Sequence, residues 1–289
     1  MVYDGHTRTC GVFGNPVAHT LSPLIHNYLA ELTGNNMVYV PFHVENELLE
    51  DAVKGAYALD IQGCNVTVPH KSAVIPYLAE IDPLAEQIGA VNTLVRTKGG
   101  FKGYNTDMPG LYKAMLRDGV DPEGYSCIIL GAGGVARAIA MMLADKEVSE
   151  IYLLNRTYEK AHEIAEEVNN VMQKQVVFPM RMQDYTKLPS DRRYLAVQAT
   201  SVGMHPNEGH AVIEDEAFYQ LVEVGYDTVY KPAETRFMQL VKAAGGKACN
   251  GAGMLVCQGI ISYELWYDVS ISDEIVDKVY DKMAEAMKV

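Results

Sequence analysis

The chain has 289 residues, 48% of them apolar and 21% charged, with a formal net charge of -13. That length buries a sizeable core without covalent staples, and the acidic balance excludes nucleic-acid binding through a broad basic face. No basic amphipathic or long apolar stretch points to a membrane. The five cysteines, Cys10, Cys64, Cys127, Cys249 and Cys257, include no C-x-x-C pair. Neither a disulfide framework nor a zinc site is suggested, and residues 1–10 lack the pattern of a signal peptide. These features together read as a cytoplasmic protein with buried thiols.

In chain order, residues 11–13 form a short strand that leads through a loop to a helix. Ser22 reads as its N-cap and Pro23 as its first residue. Leu24, Ile25, Tyr28, Leu29 and Leu32 make its apolar stripe, and Gly34 its stop. A second strand–helix pair covers residues 37–58. Residues 94–105 carry KGG between two β-like runs, the signature of a hairpin. From residue 126 strand and helix alternate. A strand at 126–130 precedes a helix bearing Val135, Ala138, Ile139, Met142 and Leu143. A strand at 151–154 precedes a helix from Thr157 bearing Ala161, Ile164, Ala165 and Val168. Further strands are expected at 176–178, 195–199 and 226–229. The last segment is mainly helical, with Ile275, Val279, Met283 and Met287 at fourfold spacing.

Strands alternating with helices of this length imply parallel βαβ units with right-handed crossovers. The fold class expected is α/β in two domains. One is a Rossmann-type doubly wound NADP-binding domain; the other is an α/β substrate domain. The weakest junctions fall at residues 107–109 and 250–253. They place the nucleotide domain at 108–253, inserted between 1–107 and a helical return at 254–289.

The sequence LGAGGVARA supplies Gly131, Ala132, Gly133, Gly134, Val135 and Ala136 between a strand and a helix. Glycines there allow a tight turn and let backbone N–H groups approach a pyrophosphate at the helix N-terminus. The next strand ends at Asn155, followed by Arg156, Thr157 and Lys160. An NAD enzyme usually places a carboxylate here to accept from the ribose hydroxyl, and none is present before Glu159. Arg156 can grip a 2′-phosphate in bidentate fashion, so the segment favours NADP(H) over NAD.

Four segments are rich in small, polar residues: GNPVAHTLSPLIHN from Gly14, GCNVTVPHK from Gly63, GAVNTL from Gly89 and GYNTDMPG from Gly103. Singly, each is ordinary turn chemistry. In this order, followed by the glycine-rich turn, they resemble the shikimate dehydrogenase family. The resemblance continues through ATSVGM from Ala199, DTVYKP from Asp227 and GAGMLVCQG from Gly251, with Trp266 beyond. It covers nearly the whole chain.

The resemblance implies that Lys71 and Asp107 form the catalytic pair. Hydride transfer to a ketone requires a proton at the oxygen at nearly the same time. An ammonium can donate it and a carboxylate can orient the ammonium; which of the two carries the proton in the slow step stays open. The same resemblance assigns Thr20 and Ser22 to the substrate carboxylate, with threonine in place of the family's commoner serine at position 20. Asn65, Thr67, Asn92 and Gln258 are assigned to ring hydroxyls, and Tyr230 lies near both substrate and nicotinamide. Thr200, Ser201, Val202, Gly253 and Met254 face the cofactor. Neither His19 nor His70 has metal-ligand spacing to another donor, and no metal is expected.

The activity implied is NADPH-dependent, reversible reduction of 3-dehydroshikimate to shikimate, in aromatic amino-acid biosynthesis. A quinate/shikimate dehydrogenase using NAD or NADP is the nearest alternative. A non-catalytic NADP-binding regulator is disfavoured because Lys71 and Asp107 are both present. The partners expected are small molecules, with no nucleic acid or membrane, in a monomer or homodimer. A cleft that narrows between two domains is the expected motion.

Overall fold

The computed structural model describes residues 3–287. Met1, Val2, Lys288 and Val289, which belong to the terminal ranges of the expected domains, lie outside the described residues. Two compact units emerge: residues 1–111 with 255–289, and residues 112–254.

The first unit begins with β1 (Arg8–Gly14), α1 (Ser22–Thr33), β2 (Met37–His43), α2 (Leu49–Ala58) and β3 (Gly63–Val66). β4 (Glu80–Ile81), α3 (Pro83–Ile88), β5 (Thr93–Thr97), β6 (Gly100–Tyr104) and α4 (Asp107–Arg117) follow. Its six-stranded sheet has the order β2-β1-β3-β5-β6-β4. β1 pairs parallel with β2 and β3, whereas β3–β5 and β5–β6 are antiparallel. The expected hairpin is β5–β6, with Thr97 opposite Gly100.

The second unit is a wholly parallel sheet. β7 (Ser126–Leu130), α5 (Gly134–Asp145), β8 (Glu150–Asn155), α6 (Tyr158–Met172) and β9 (Val177–Arg181) make its first half. β10 (Tyr194–Gln198), α7 (Glu216–Tyr219), β11 (Val222–Asp227), α8 (Arg236–Ala243) and β12 (Lys247–Cys249) make its second. The strand order, β12-β11-β10-β7-β8-β9, reverses direction beside β7 and is that of a doubly wound dinucleotide fold. Cys127, Ile128, Ile129 and Leu130 are completely buried, as a central strand covered on both faces requires. The chain then returns to the first unit through α9 (Ala252–Tyr267) and α10 (Asp273–Ala286).

α9 and α10 pack on one face of the first sheet. Val256, Ile260, Tyr263, Trp266, Val276, Val279 and Met283 share a core with Cys10, Val12, Ile25, Leu29 and Tyr39. Cys64, Val66, Leu94 and Phe101 belong to a separate core that includes α2 residues Val53 and Ala56. All five cysteines are free and buried. Among the described residues no helix is long and apolar enough to cross a membrane, and no group of three potential ligands is placed to hold a metal ion.

Two sequence expectations need correction, and one needs placing. The junction read at residues 107–109 lies at the start of α4, which Asp-Met-Pro-Gly opens and which runs on to Arg117, and the two units divide within that helix, after Leu111. Pro109 sits in the first turn, where an N–H has no intrahelical partner, and Asn105 Oδ1 accepts from the N–H groups of Asp107 and Met108. Second, Ser22 is not the N-cap of α1: Leu21 holds that position, in a helical conformation and without a side-chain cap. The Ser22 hydroxyl instead accepts from Thr20. Third, the strand sought at 226–229 is β11, which starts at Val222 and stops at Asp227. Exposed Glu223 hid its start, and the Asp227 carboxylate turns the chain by accepting from the Val229 N–H.

Candidate active site

Lys71 follows β3 in a loop whose backbone is fixed at both ends. Thr67 donates its N–H to Phe13, and the Lys71 carbonyl accepts from Val91. Asp107 is the first residue of α4, where a carboxylate interacts favourably with the helix dipole. The two side chains meet at 2.7 Å (Lys71 Nζ to Asp107 Oδ2), with exposures of 28% and 17%. The pair is therefore shielded yet reachable, as a proton-transfer group must be.

The polar residues of the first unit form several hydrogen-bonded groups. Thr20 donates to Ser22 at 3.1 Å. The buried Tyr39 hydroxyl donates to Asn65 Oδ1 at 2.7 Å, and Asn65 Nδ2 reaches the Asn92 carbonyl, Thr93 and Ser262. Asn92 Oδ1 accepts from the Thr106 N–H, immediately before Asp107, and Asn92 Nδ2 lies 3.5 Å from Gln258 Oε1. Thr67 has its Cγ2 against Gly14, so a Cβ at position 14 would lie 2.5 Å from it. The structure thus gathers Thr20, Ser22, Asn65, Thr67, Lys71, Asn92, Asp107 and Gln258 in one unit. Tyr230 falls in the other.

Sequence reasoning missed Tyr39, Thr93, Thr106 and Ser262, which hold the two asparagines. It left the three histidines of the HTLSPLIHN and VPHK segments open or unread. His26 is completely buried, stacked on Tyr39 at 4.3 Å between centroids and tilted against Trp266 at 4.9 Å. Burial pushes its pKa down to about 3, opposed weakly by nearby Asn65, so the ring is a neutral packing element. His70 is also buried, with Nε2 at 2.8 Å from the Val44 carbonyl. His19 is exposed.

In the second unit the candidate cofactor residues lie where strands of the parallel sheet end. Gly131 follows β7 with φ +108, a conformation that L side chains rarely adopt, and its N–H donates to Leu154. Gly133 is the N-cap of α5 and offers no side-chain cap. A Cβ at Gly133 or Gly134 would meet nothing within 4 Å. Bare first-turn N–H groups of Gly134, Val135 and Ala136 beneath open space fit a pyrophosphate. Ala132 completes this turn. Asn155, Arg156, Thr157 and Lys160 follow β8; Asn155 Nδ2 donates to the Thr157 carbonyl, and Arg156, Thr157 and Lys160 are exposed.

After β10, Thr200 donates its N–H and hydroxyl to Gln198 Oε1, at 2.6 and 2.7 Å, and Val202 donates to Thr200. Ser201 is exposed. Gly251 donates to Val229 just before Gly253 and Met254 open α9. The shallow depression lined by Glu123, Tyr125, Arg192, Arg193 and Glu223 lies at the opposite, N-terminal end of the strands, where such sheets do not bind ligands.

Asp227 ties the loops after β10 and β11 together and was not legible as a key residue. It accepts from Thr235 at 2.6 Å, Val229 N–H at 2.9 Å and Gln198 at 3.3 Å, with no exposed surface. Burial raises its pKa from 3.8 to about 6, against the lowering effect of Thr235, Val229 and Gln198. The folded state therefore holds this proton more tightly than the unfolded chain. Its contribution to stability is most favourable at low pH and declines by about 3 kcal/mol as pH rises from about 4 to about 6. Denaturant unfolding of wild type and Asp227→Asn across this range should show wild type losing that much relative to the variant. A pH-independent difference would contradict the assignment.

The chain is similar to known proteins along nearly its whole length. Residues 12–94 match the model of the shikimate dehydrogenase substrate binding domain, and residues 117–185 that of shikimate / quinate 5-dehydrogenase. The shikimate dehydrogenase (NADP(+)) of Caldanaerobacter subterraneus subsp. tengcongensis is 41% identical, with 99% of this chain and 100% of that protein covered. A crystal structure of a shikimate dehydrogenase in complex with NADP+ superimposes with a TM-score of 0.89 at 34% identity, covering 99% of this chain and 98% of that one. The Listeria monocytogenes shikimate 5-dehydrogenase, in complex with shikimate and NAD, gives 0.88 at 32% identity, covering 96% and 97%. The chain belongs to the shikimate dehydrogenase family.

Proposed function

We propose that the chain is an NADP-dependent dehydrogenase that reversibly reduces 3-dehydroshikimate to shikimate, a step of aromatic amino-acid biosynthesis. The observation that carries this reading is the Lys71–Asp107 ion pair, set among amide and hydroxyl side chains of one unit. We assign residues 1–107 and 254–289 to the substrate domain and 108–253 to the NADP-binding domain. The protein works in the cytoplasm as a monomer or homodimer.

NADPH, when bound, supplies the hydride. Lys71, as an ammonium, polarises the ketone and gives a proton to its oxygen; in the reverse direction the amine accepts it. Asp107 orients Lys71 through their 2.7 Å contact and accepts from a neighbouring ring hydroxyl. Thr20 and Ser22 offer hydroxyls to the substrate carboxylate. Asn65, Thr67, Asn92 and Gln258 meet ring hydroxyls, and Tyr230 approaches the reacting ring. Gly131, Ala132, Gly133, Gly134, Val135 and Ala136 hold the pyrophosphate, and Asn155, Arg156, Thr157 and Lys160 hold the phosphorylated ribose. Thr200, Ser201, Val202, Gly253 and Met254 border the nicotinamide.

The test is to incubate the enzyme with shikimate or quinate, each with NADP+ or NAD+, and to identify products by mass. Shikimate with NADP+ should give 3-dehydroshikimate and NADPH fastest. Faster conversion of quinate would replace this reading and implicate the methyl group of Thr20; faster turnover with NAD+ would overturn the cofactor assignment.

A further inference from the structure

The chain carries 37 acidic against 24 basic side chains, so an arginine without a carboxylate partner is conspicuous. Arg8, Arg96, Arg137, Arg192 and Arg236 each contact a carboxylate. Among the described residues, Arg156, Arg181 and Arg193 make no such contact, and Arg193 donates to the Val222 carbonyl instead. Lys160 also makes none, and it lies close in the fold to Arg156 and Arg181. Arg156 follows β8 directly, and Lys160 is in the first turn of α6.

Arg181 is the last residue of β9 and pairs in register with Asn155, the last residue of β8. Paired parallel strands lie only about 4.8 Å apart, and paired residues point to the same face. Arg181 is exposed, and its guanidinium carbon sits 5.6 Å from the centroid of the Tyr158 ring. That stack holds the planar group beside the β8 end without consuming its five N–H donors. The α6 N-terminus next to it has Thr157 at the N-cap, with no side-chain cap.

We infer that Arg181, seated on Tyr158, is a further determinant of cofactor choice that binds the 2′-phosphate of NADP(H) across the strand gap from Arg156. The inference rests on the cofactor reading given above. A phosphate dianion placed beyond Asn155 gains a guanidinium from each strand and the uncapped helix N-terminus. NAD, with a hydroxyl there, gains almost nothing from Arg181. The acidic protein thus keeps its arginines apart from its own carboxylates where an external anion must be held.

The experiment is calorimetric titration of wild type, Arg181→Ala and Arg181→Lys with NADP+ and with NAD+, in the absence of substrate. Arg181→Ala should weaken NADP+ by about 10-fold and leave NAD+ within about 2-fold. Arg181→Lys, which keeps the charge and loses the planar stack, should fall between. Raising the salt concentration should shrink the NADP+ difference. Unchanged NADP+ affinity in Arg181→Ala, or equal weakening of both cofactors, would overturn the inference while leaving NADP(H) as cofactor. A wild type that binds both cofactors alike would overturn the cofactor reading as well, and the same titration reports it.

Discussion

Replacing Lys71 with alanine should lower kcat for shikimate oxidation by about 1,000-fold and leave the affinity for NADP+ unchanged. A positioned proton donor or acceptor contributes roughly 100- to 10,000-fold, and among the described residues no other lysine is tied to Asp107. Lys71 belongs to the unit of residues 1–111 with 255–289, whereas the glycine-rich turn belongs to residues 112–254, so cofactor affinity is an internal control. Single-turnover rates and cofactor titration with the purified variant check both halves. If KM rises while kcat falls less than about 10-fold, Lys71 is a binding group and the proton travels by another residue.

Replacing Gly131 with alanine should weaken NADP+ binding by about 10- to 100-fold and destabilise the fold. Two effects add. The backbone at φ +108 costs about 1–3 kcal/mol for a residue with a Cβ. The Cβ would also stand 2.6 Å from Thr200 Cγ2 and 3.2 Å from the Ala199 carbonyl, pushing the turn away from the loop after β10. Gly133→Ala is the informative companion, because a Cβ there meets nothing within 4 Å. It should leave thermal stability nearly intact and still weaken NADP+, since the space it fills is that assigned to the pyrophosphate. Equal cofactor affinity in wild type and both variants would place the dinucleotide elsewhere.

The parts of this fold legible in the sequence were those governed by local pattern. The strand 126–130 is β7 to the residue, and the glycine turn and the helix from Tyr158 follow from hydrophobic period and turn chemistry. Short polar elements were harder. β3 reads as Gly-Cys-Asn-Val, yet all four residues are buried, because Asn65 is fully engaged by Tyr39, Thr93 and Ser262. A buried asparagine is affordable only with such partners, and nothing local announces them. Ser262 hides inside the apolar helix α9, and Thr93 looks like an ordinary strand residue.

Long-range pairing explains the rest. His26 and Trp266 meet only after the chain has passed through the whole second unit. Arg181 acquires meaning only from the β8–β9 register, which the sequence does not state. Asp227 resembled one residue of a strand-end motif, and its three hydrogen bonds come from Gln198, Val229 and Thr235 on separate segments. Lys71 and Asp107 themselves were found through family resemblance. Their 2.7 Å contact supplies the physical reason that a lysine after β3 and an aspartate opening α4 belong together.

The most direct test is a crystal structure of the enzyme with NADP+ and shikimate bound together, read at the hydroxyl that is oxidised. The account predicts Lys71 Nζ within about 2.6–3.2 Å of that oxygen, with Asp107 on the neighbouring hydroxyl. A hydroxyl facing any other titratable group, with Lys71 bound instead to the substrate carboxylate, would contradict it.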